Sequence, residues 1–421
     1  MTQDVIVVGA RVAGAATAML LARAGLRVLV VDRARFPSDT LSTHQVQVPG
    51  IERLRRWGLL DRIADGAPAT VRVRLDASRT VLDGSYPGAL HSPRRTVLDA
   101  MLVDAAREAG AEVREGFGVD DVLWSDGRVV GIRGRARSGG PAVEERAPLV
   151  IGADGKRSFV AAAVGARRYR VRPPRTFACY SYFSGVPLPV GEIYQRDGLT
   201  APAFATNDGL SMICVFGPLG SFDAFRRDVD AGFQAMVDRC GDLGERIRAG
   251  QRVERFRSAP DVTNEFREPY GPGWALVGDA GLVMDPVGAQ GISNAFRDAE
   301  ALAAAVVGGD FAGYHHDRDK AVGPMYDLVG DMGRLRLTAR QRLLLRSIAD
   351  RPAEVDRFLG VLAGVVPAGP YFRPLSLART LLRRRVVSTT AGRSGEVGWT
   401  RSTSHAGSSG SPPSTTSSSS R

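Results

Sequence analysis

The stretch that decides the fold is Val5-Ile6-Val7-Val8-Gly9-Ala10-Arg11-Val12-Ala13-Gly14. Four consecutive β-branched residues read as a strand buried on both faces, followed by a turn that two glycines bracket. An Ala/Leu-rich run to about Ala24 reads as a helix, and Arg27-Val28-Leu29-Val30-Val31 as a second strand ending on Asp32, 18 residues after Gly14. This is a βαβ unit: the helix N-terminus suits a pyrophosphate, and the terminal acid lies at the spacing that reaches an adenosine ribose. The expected ligand is an ADP-containing cofactor. Gly9, Ala10, Arg11, Ala13 and Gly14 would form its turn, with Asp32 and Arg33 at the strand end. A carboxylate at position 32 repels a 2′-phosphate and so favours FAD or NAD over NADP. Arg11 replaces the middle glycine of the fingerprint. Its guanidinium is expected on a pyrophosphate oxygen, the alternative being an arginine directed to solvent.

A distant stretch, Gly278-Asp279-Ala280-Gly281-Leu282-Val283-Met284-Asp285-Pro286-Val287-Gly288-Ala289-Gln290-Gly291-Ile292-Ser293-Asn294, supplies complementary chemistry. Trp274-Ala275-Leu276-Val277 reads as a short buried strand with Asp279 at its carboxyl end, where α/β sheets place ligands. Gly288 and Gly291 let backbone approach a flat ring system without a Cβ in the way. From Ile292 a helix begins, with Ala295, Phe296, Ala299, Leu302 and Ala303 on its apolar side, and its N–H groups face the same spot. A strand-end carboxylate suits ribose or ribityl hydroxyls, and a helix N-terminus suits a developing anion. A flavin has both needs.

Two further segments lie between these. Leu149-Val150-Ile151-Gly152-Ala153-Asp154-Gly155-Lys156-Arg157-Ser158 reads as strand, glycine turn and helix start, and Arg94-Arg95-Thr96-Val97-Leu98 begins a helix with arginine at its mouth. In their order and spacing the four motifs resemble the para-hydroxybenzoate hydroxylase-like superfamily of FAD-dependent oxidoreductases. That group includes single-component flavoprotein monooxygenases, geranylgeranyl reductases and flavin-dependent halogenases. The resemblance spans about residues 4 to 305.

The resemblance implies an α/β fold: a Rossmann-like FAD-binding domain with an inserted antiparallel β-sheet substrate domain and C-terminal helices. It also implies roles. Gly9 and Gly14 would line the pyrophosphate turn, Asp32 would hold the adenosine ribose, and Arg95 would lie along the cofactor. Asp279 would bind ribityl or ribose hydroxyls, and Pro286 would sit near the reactive edge of the isoalloxazine. Gly288, Gln290, Gly291 and Ile292 would cover its pyrimidine end. Asp154 is associated with both FAD and nicotinamide handling. One stretch departs from the hydroxylases, Phe36-Pro37-Ser38-Asp39-Thr40-Leu41-Ser42-Thr43-His44, where an arginine and a Gly-rich turn are common. His44 there either orients substrate or tunes a proton, or is an ordinary loop imidazole.

Texture places the domains. The FAD-binding pieces are expected at 1–70, 91–165 and 260–308, and the β-rich substrate domain at 71–90 and 166–259. C-terminal helices are expected over 309–386, including a continuous periodic run from Leu335 through Leu345, followed by a disordered Ser/Thr-rich tail over 387–421. Tyr180, Tyr182 and Tyr194 fall on expected strands, either facing a cavity or serving as plain core. Asp285 before Pro286 caps the following turn.

Composition excludes several classes. The chain has 421 residues, 44% of them hydrophobic, enough for a large core. Cys179, Cys214 and Cys240 are isolated, which fits a reducing compartment and a cytoplasmic location. No leader precedes the first strand, and no apolar run is long enough to span a bilayer, so no integral membrane association is expected. The five histidines are scattered, so no metal site is expected. The net charge of +11 is nearly all arginine, with six arginines against Glu396 from Arg383 onward. Neither a basic face with interleaved aromatics nor a nucleic-acid-binding motif occurs.

No second glycine fingerprint exists, so NADH or NADPH would dock transiently to reduce FAD. The resemblance then implies a monooxygenase using O2 on a small aromatic or polyketide-like substrate through a flavin C4a-hydroperoxide. The alternatives are a geranylgeranyl reductase-like enzyme acting on C=C bonds without oxygen and a non-catalytic FAD-binding protein. A halogenase is disfavoured because Trp57, Trp124, Trp274 and Trp399 are too dispersed for a Trp-x-Trp-x-Ile-Pro signature.

Overall fold

The computed structural model describes residues 3–260, 262–373 and 376, all within one compact unit, Met1–Leu382. The end of the helical region expected over 309–386 and the Ser/Thr-rich tail therefore lie outside the described residues, Ser376 apart.

The architecture is α/β. A six-stranded sheet has the spatial order Tyr270–Gly271, Trp274–Leu276, Leu149–Gly152, Val5–Val8, Val28–Asp32, Glu112–Glu115. All pairings are parallel except the hairpin of the first two strands. Its strands are apolar on both faces because both are covered. Val5, Val7, Val28 and Val30 meet the helices Val12–Arg23, Arg95–Glu108 and Gly291–Gly308. Ile6, Val8, Leu29 and Val31 meet Phe117, Val122, Ile132 and Val160. Those partners come partly from a three-stranded sheet, Phe117–Ser125, Arg128–Ala136 and Val143–Arg146, that the sequence reading did not anticipate. The first helix and Gly291–Gly308 pack closely because Ala15, Ala16, Ala18, Ala295 and Ala299 leave little side-chain volume between them.

The second sheet has eight strands. Its main path runs Gln251–Arg252, Thr176–Ser184, Ser211–Pro218, Leu199–Ala205, Gly191–Arg196, Thr70–Asp76, Val81–Leu90, and Arg257–Ala259 also pairs with Thr176–Ser184. It is antiparallel except where Gly191–Arg196 runs parallel to Thr70–Asp76, a hairpin delivered from far earlier in the chain. Period-2 alternation separates its faces. Phe177, Cys179 and Phe183 pack on Phe225, Phe233, Val237 and Ile247 of the covering helices. Ala178, Tyr180, Tyr182, Met212 and Phe216 face Met284, Val287, Tyr326 and Val329.

The C-terminal helices are Phe311–Met332, Ala339–Ile348, Pro352–Leu362 and Ala368–Tyr371. The run expected to be helical from Leu335 is broken: Leu335 has φ +51°, and a new helix starts on a Thr338/Gln341 capping box. The pattern Thr-x-x-Gln, visible in the sequence, was the stop-and-start signal that the leucine periodicity obscured. No helix among the described residues is long and apolar enough to cross a membrane.

Candidate cofactor groove and active-site seam

Register puts the expected cofactor residues on one edge. Val31, Val8, Gly152 and Leu276 stand level in adjacent strands, so the loops carrying Asp32, Gly9, Asp154 and Asp279 leave the sheet together. Asp32 and Asp279 are three strands apart, roughly 14 Å at about 4.8 Å per step. That separation suits the two ends of an extended dinucleotide.

Glycine makes the first turn possible. Gly9 has φ +104°, and a Cβ on Gly14 would lie 1.8 Å from the Gly9 carbonyl oxygen. Asp32 is buried and accepts from the backbone N–H of Ala10 at 2.7 Å and of Ala34 at 2.7 Å, leaving lone pairs for ribose hydroxyls. Arg33 beside it is exposed. Gly278, at φ +59°, abuts Ala13: a Cβ there would lie 2.6 Å from the Ala13 methyl, so the two cofactor loops touch.

Asp279 accepts no hydrogen bond from the described residues, and solvent reaches it. It nevertheless lies deep between protein walls. That depth raises its pKa, while Arg95, Lys156 and Arg267 act in the opposite direction. A Cβ on Gly291 would meet only Asp279 Oδ1, at 4.0 Å, so the start of the Gly291–Gly308 helix faces this carboxylate across open space. The first-turn N–H groups of Gly291, Ile292 and Ser293 have no intrahelical acceptor. Ile292 itself is buried against the helical core.

Other expected residues make contacts within the protein, and Asp285 caps its turn as expected. Gly288 gives room to Val329, whose Cγ2 would lie 2.3 Å from an added Cβ. Gln290 donates to the carbonyls of Gly288 at 3.0 Å and Leu362 at 2.9 Å, tying the turn to the C-terminal helices. Asp285 caps the turn at Pro286 by accepting from Val287 N–H at 3.0 Å, and takes the Thr176 hydroxyl at 2.7 Å. Pro286 is half-buried. Asp154 caps the helix Phe159–Ala163 through the Ser158 hydroxyl and Phe159 N–H, and burial raises its pKa against those bonds. A cavity of about 400 Å³ beside that turn is lined by Lys156, Arg157, Ser158, Arg168, Glu265 and Arg267, and does not reach the tyrosines of the second sheet.

Arg11 points neither to solvent nor along the turn. Its guanidinium lies 2.5 Å from Asp99 and donates to Ser38 and to the Asp39 carbonyl. Asp99 is fully buried and also receives Arg95, at 2.8 Å. The pair Arg95/Asp99 is spaced i,i+4 on a helix, a signal legible in the sequence that the reading passed over.

His44 is no ordinary loop imidazole. It is fully buried with φ +65°, and its Nδ1 lies 2.8 Å from the Ser42 carbonyl, which can only accept, so Nδ1 carries the proton. Nε2 then accepts from the Tyr182 hydroxyl at 2.6 Å. Burial, helped by Arg95, Arg94 and Arg257, pushes its pKa down to about 3. Arg94 lies over the Tyr182 ring with its guanidinium carbon 4.6 Å from the ring centroid and pairs with Glu254, while Arg257 lies 3.0 Å from Asp39. Thus a buried polar seam joins the 36–44 segment to the second sheet. Arg257 and Glu254 carry no signal in the sequence, because their significance lies in contacts between remote segments. Among the described residues no cluster of histidine, cysteine or acid side chains could hold a metal ion.

Comparison with known proteins agrees with this geometry. Residues 2–181 match the FAD binding domain family. FixC of Salmonella typhi is 33% identical over 176 residues, a match covering 38% of this chain and 39% of that protein. The chain therefore matches well under half the length of that relative. The menaquinone reductase of Mycolicibacterium smegmatis is 26% identical over 324 residues, covering 74% of this chain and 78% of the enzyme. Among solved structures, the flavin-dependent brominase Bmp2 superposes with a TM-score of 0.76 at 20% identity, over 90% of this chain and 97% of that one. The family match identifies residues 2–181 as an FAD binding domain, and most of the chain shares its fold with flavin-dependent enzymes. The glycine turn, the two strand-end carboxylates and the helix start facing Asp279 fit FAD.

Proposed function

We propose that this protein is an FAD-dependent oxidoreductase acting as an NAD(P)H-dependent monooxygenase on a small organic substrate, in the cytoplasm. The observation that carries the cofactor assignment is the placement of Asp32 and Asp279 on one edge of one parallel sheet, with a helix N-terminus beside the second. When bound there, the flavin would supply the redox chemistry, taking electrons from a reduced nicotinamide and activating O2. Asp32 would hold the adenosine ribose, with Gly9, Ala10, Ala13 and Gly14 shaping the pyrophosphate turn. Asp279 would accept from ribityl hydroxyls. The start of the Gly291–Gly308 helix would stabilise negative charge on the ring by up to about 2 kcal/mol. Tyr182 and His44 would hold the second sheet against the cofactor-binding half, and the surrounding apolar face would exclude water.

A second reading is a flavoenzyme that reduces C=C bonds without oxygen. The 26% identity to a menaquinone reductase along most of both chains favours it. Oxygen consumption separates the two. Purified yellow protein is expected to oxidise NADH or NADPH with matched O2 uptake, stimulated by aromatic or polyketide-like compounds. Bleaching by NAD(P)H under nitrogen, followed by reoxidation with a quinone or prenyl acceptor and no O2 requirement, would select the reductase.

A further inference from the structure

Arg11 occupies the position of the fingerprint where a side chain is least expected, yet both terminal nitrogens of its guanidinium are bonded to protein. It meets Asp99 at 2.5 Å, the Ser38 carbonyl and hydroxyl at 3.3 and 3.1 Å, and the Asp39 carbonyl at 3.2 Å. The Phe36 ring lies 5.5 Å from it. Asp99 has no exposed surface and bridges Arg11 to Arg95, so one buried carboxylate fixes two guanidinium groups. Beyond Ser38, the same segment reaches the second sheet through Asp39 to Arg257, the Thr40 carbonyl to the Tyr180 hydroxyl at 3.4 Å, and His44 to Tyr182. A continuous line of polar contacts therefore runs from the first turn, through the 36–44 segment, to the strand bearing both tyrosines.

We propose that Arg11 is a positioning residue: with Asp99 it clamps the 36–44 segment and thereby sets where Asp39 and His44 meet the second sheet. It is not a ligand of the cofactor's pyrophosphate. The chemistry favours this. Both terminal nitrogens of the guanidinium are committed to a buried carboxylate and three further acceptors, so a bidentate grip on a phosphate would break that set. Glycine at this position would leave Asp99 with one cation and the 36–39 backbone without its donor.

The test uses the full-length protein, with and without FAD, and Arg11→Ala, Arg11→Lys and Asp99→Asn variants. Amide hydrogen exchange over 36–44 is expected to quicken about 10-fold in Arg11→Ala, the change that loss of one or two hydrogen bonds produces in a local opening equilibrium. FAD affinity, read by flavin fluorescence, is expected to stay within about 3-fold, because no direct contact is lost. Arg11→Lys is expected to fall between, and Asp99→Asn to reproduce the exchange effect without adding to it in the double variant. Unchanged exchange in 36–44 would overturn the clamp. So would a loss of FAD affinity of about 30-fold or more with exchange unaltered, since that is the mark of a lost pyrophosphate contact. If Arg11→Ala does not fold, Arg11→Lys carries the same comparison. The exchange measurement on apoprotein is independent of the cofactor assignment, so failure of one does not mimic failure of the other.

Discussion

The Tyr182 hydroxyl donates to Nε2 of His44 across 2.6 Å, joining a loop of the cofactor-binding half to the Thr176–Ser184 strand of the second sheet. Because His44 is held neutral, this bond keeps one direction, with the phenol as donor and the imidazole as acceptor. Tyr182→Phe keeps the ring beneath Arg94 but leaves a buried nitrogen unpaired. It is expected to cost about 1–3 kcal/mol in denaturant unfolding. A stability unchanged from wild type would show that this bond contributes nothing.

The same imidazole makes a pH prediction. Unfolded, His44 takes a proton near pH 6.5; folded, it resists until about 3. Between those values the unfolded chain binds more protons, so stability falls as the pH is lowered from about 6.5, by up to roughly 1.4 kcal/mol per unit from this group. His44→Gln, which cannot titrate, is expected to show a flatter decline between pH 7 and 5. Parallel slopes for the two proteins would mean that His44 is not buried in neutral form.

At the cofactor groove, Asp32→Asn and Asp279→Asn are each expected to weaken FAD binding about 10-fold or more, the effect of losing a charge-assisted hydrogen bond. The two sites are roughly 14 Å apart and share no partner, so the double variant is expected to add within about 0.5 kcal/mol. Fluorescence titration of apoprotein measures all three affinities. An Asp279→Asn protein that binds FAD like wild type would remove Asp279 from the site.

Gly14→Ala places a methyl 1.8 Å from a backbone oxygen that cannot move without the turn. The expected result is a loss of about 1–3 kcal/mol or more of stability, together with poor flavin retention. Gly220→Ala, where an added Cβ meets nothing within 4 Å, serves as the control and is expected to be neutral in thermal unfolding.

Arg318, on the Phe311–Met332 helix, is almost fully buried and donates to the Tyr169 hydroxyl at 2.7 Å and the Arg267 carbonyl at 3.1 Å, while pairing with Asp319. Arg318→Ala is expected to destabilise by roughly 3–5 kcal/mol, since it strips a buried network of its central cation. A midpoint shift close to zero in urea unfolding would contradict that role.

Much of the cofactor edge could be read from residues alone, because its signals are local. A strand ending on Asp32 and the Trp274–Val277 run ending near Asp279 each announce themselves within a few positions. What stayed hidden was non-local. Nothing near Arg11 announces Asp99, and nothing near His44 announces Tyr182; each pair meets only because separate elements dock. Nothing near Gly288 announces that its missing side chain makes room for Val329. The break at Leu335 was misread because leucine periodicity spoke louder than the capping box at Thr338. The 117–146 sheet escaped notice because its strands are largely exposed and their apolar residues are diluted by charge.

Three neighbouring strands of the parallel sheet are drawn from residues 274–276, 149–152 and 5–8. A ribosome therefore releases the adenosine end of the groove long before Asp279 exists. From the making of residue 152 until residues 274–276 arrive, Leu149–Gly152 is left as an open border, a liability of the nascent polypeptide. If Asp279 holds the cofactor as proposed, loading with FAD would be a late event in biogenesis, and polypeptides stalled before residue 274 would emerge colourless.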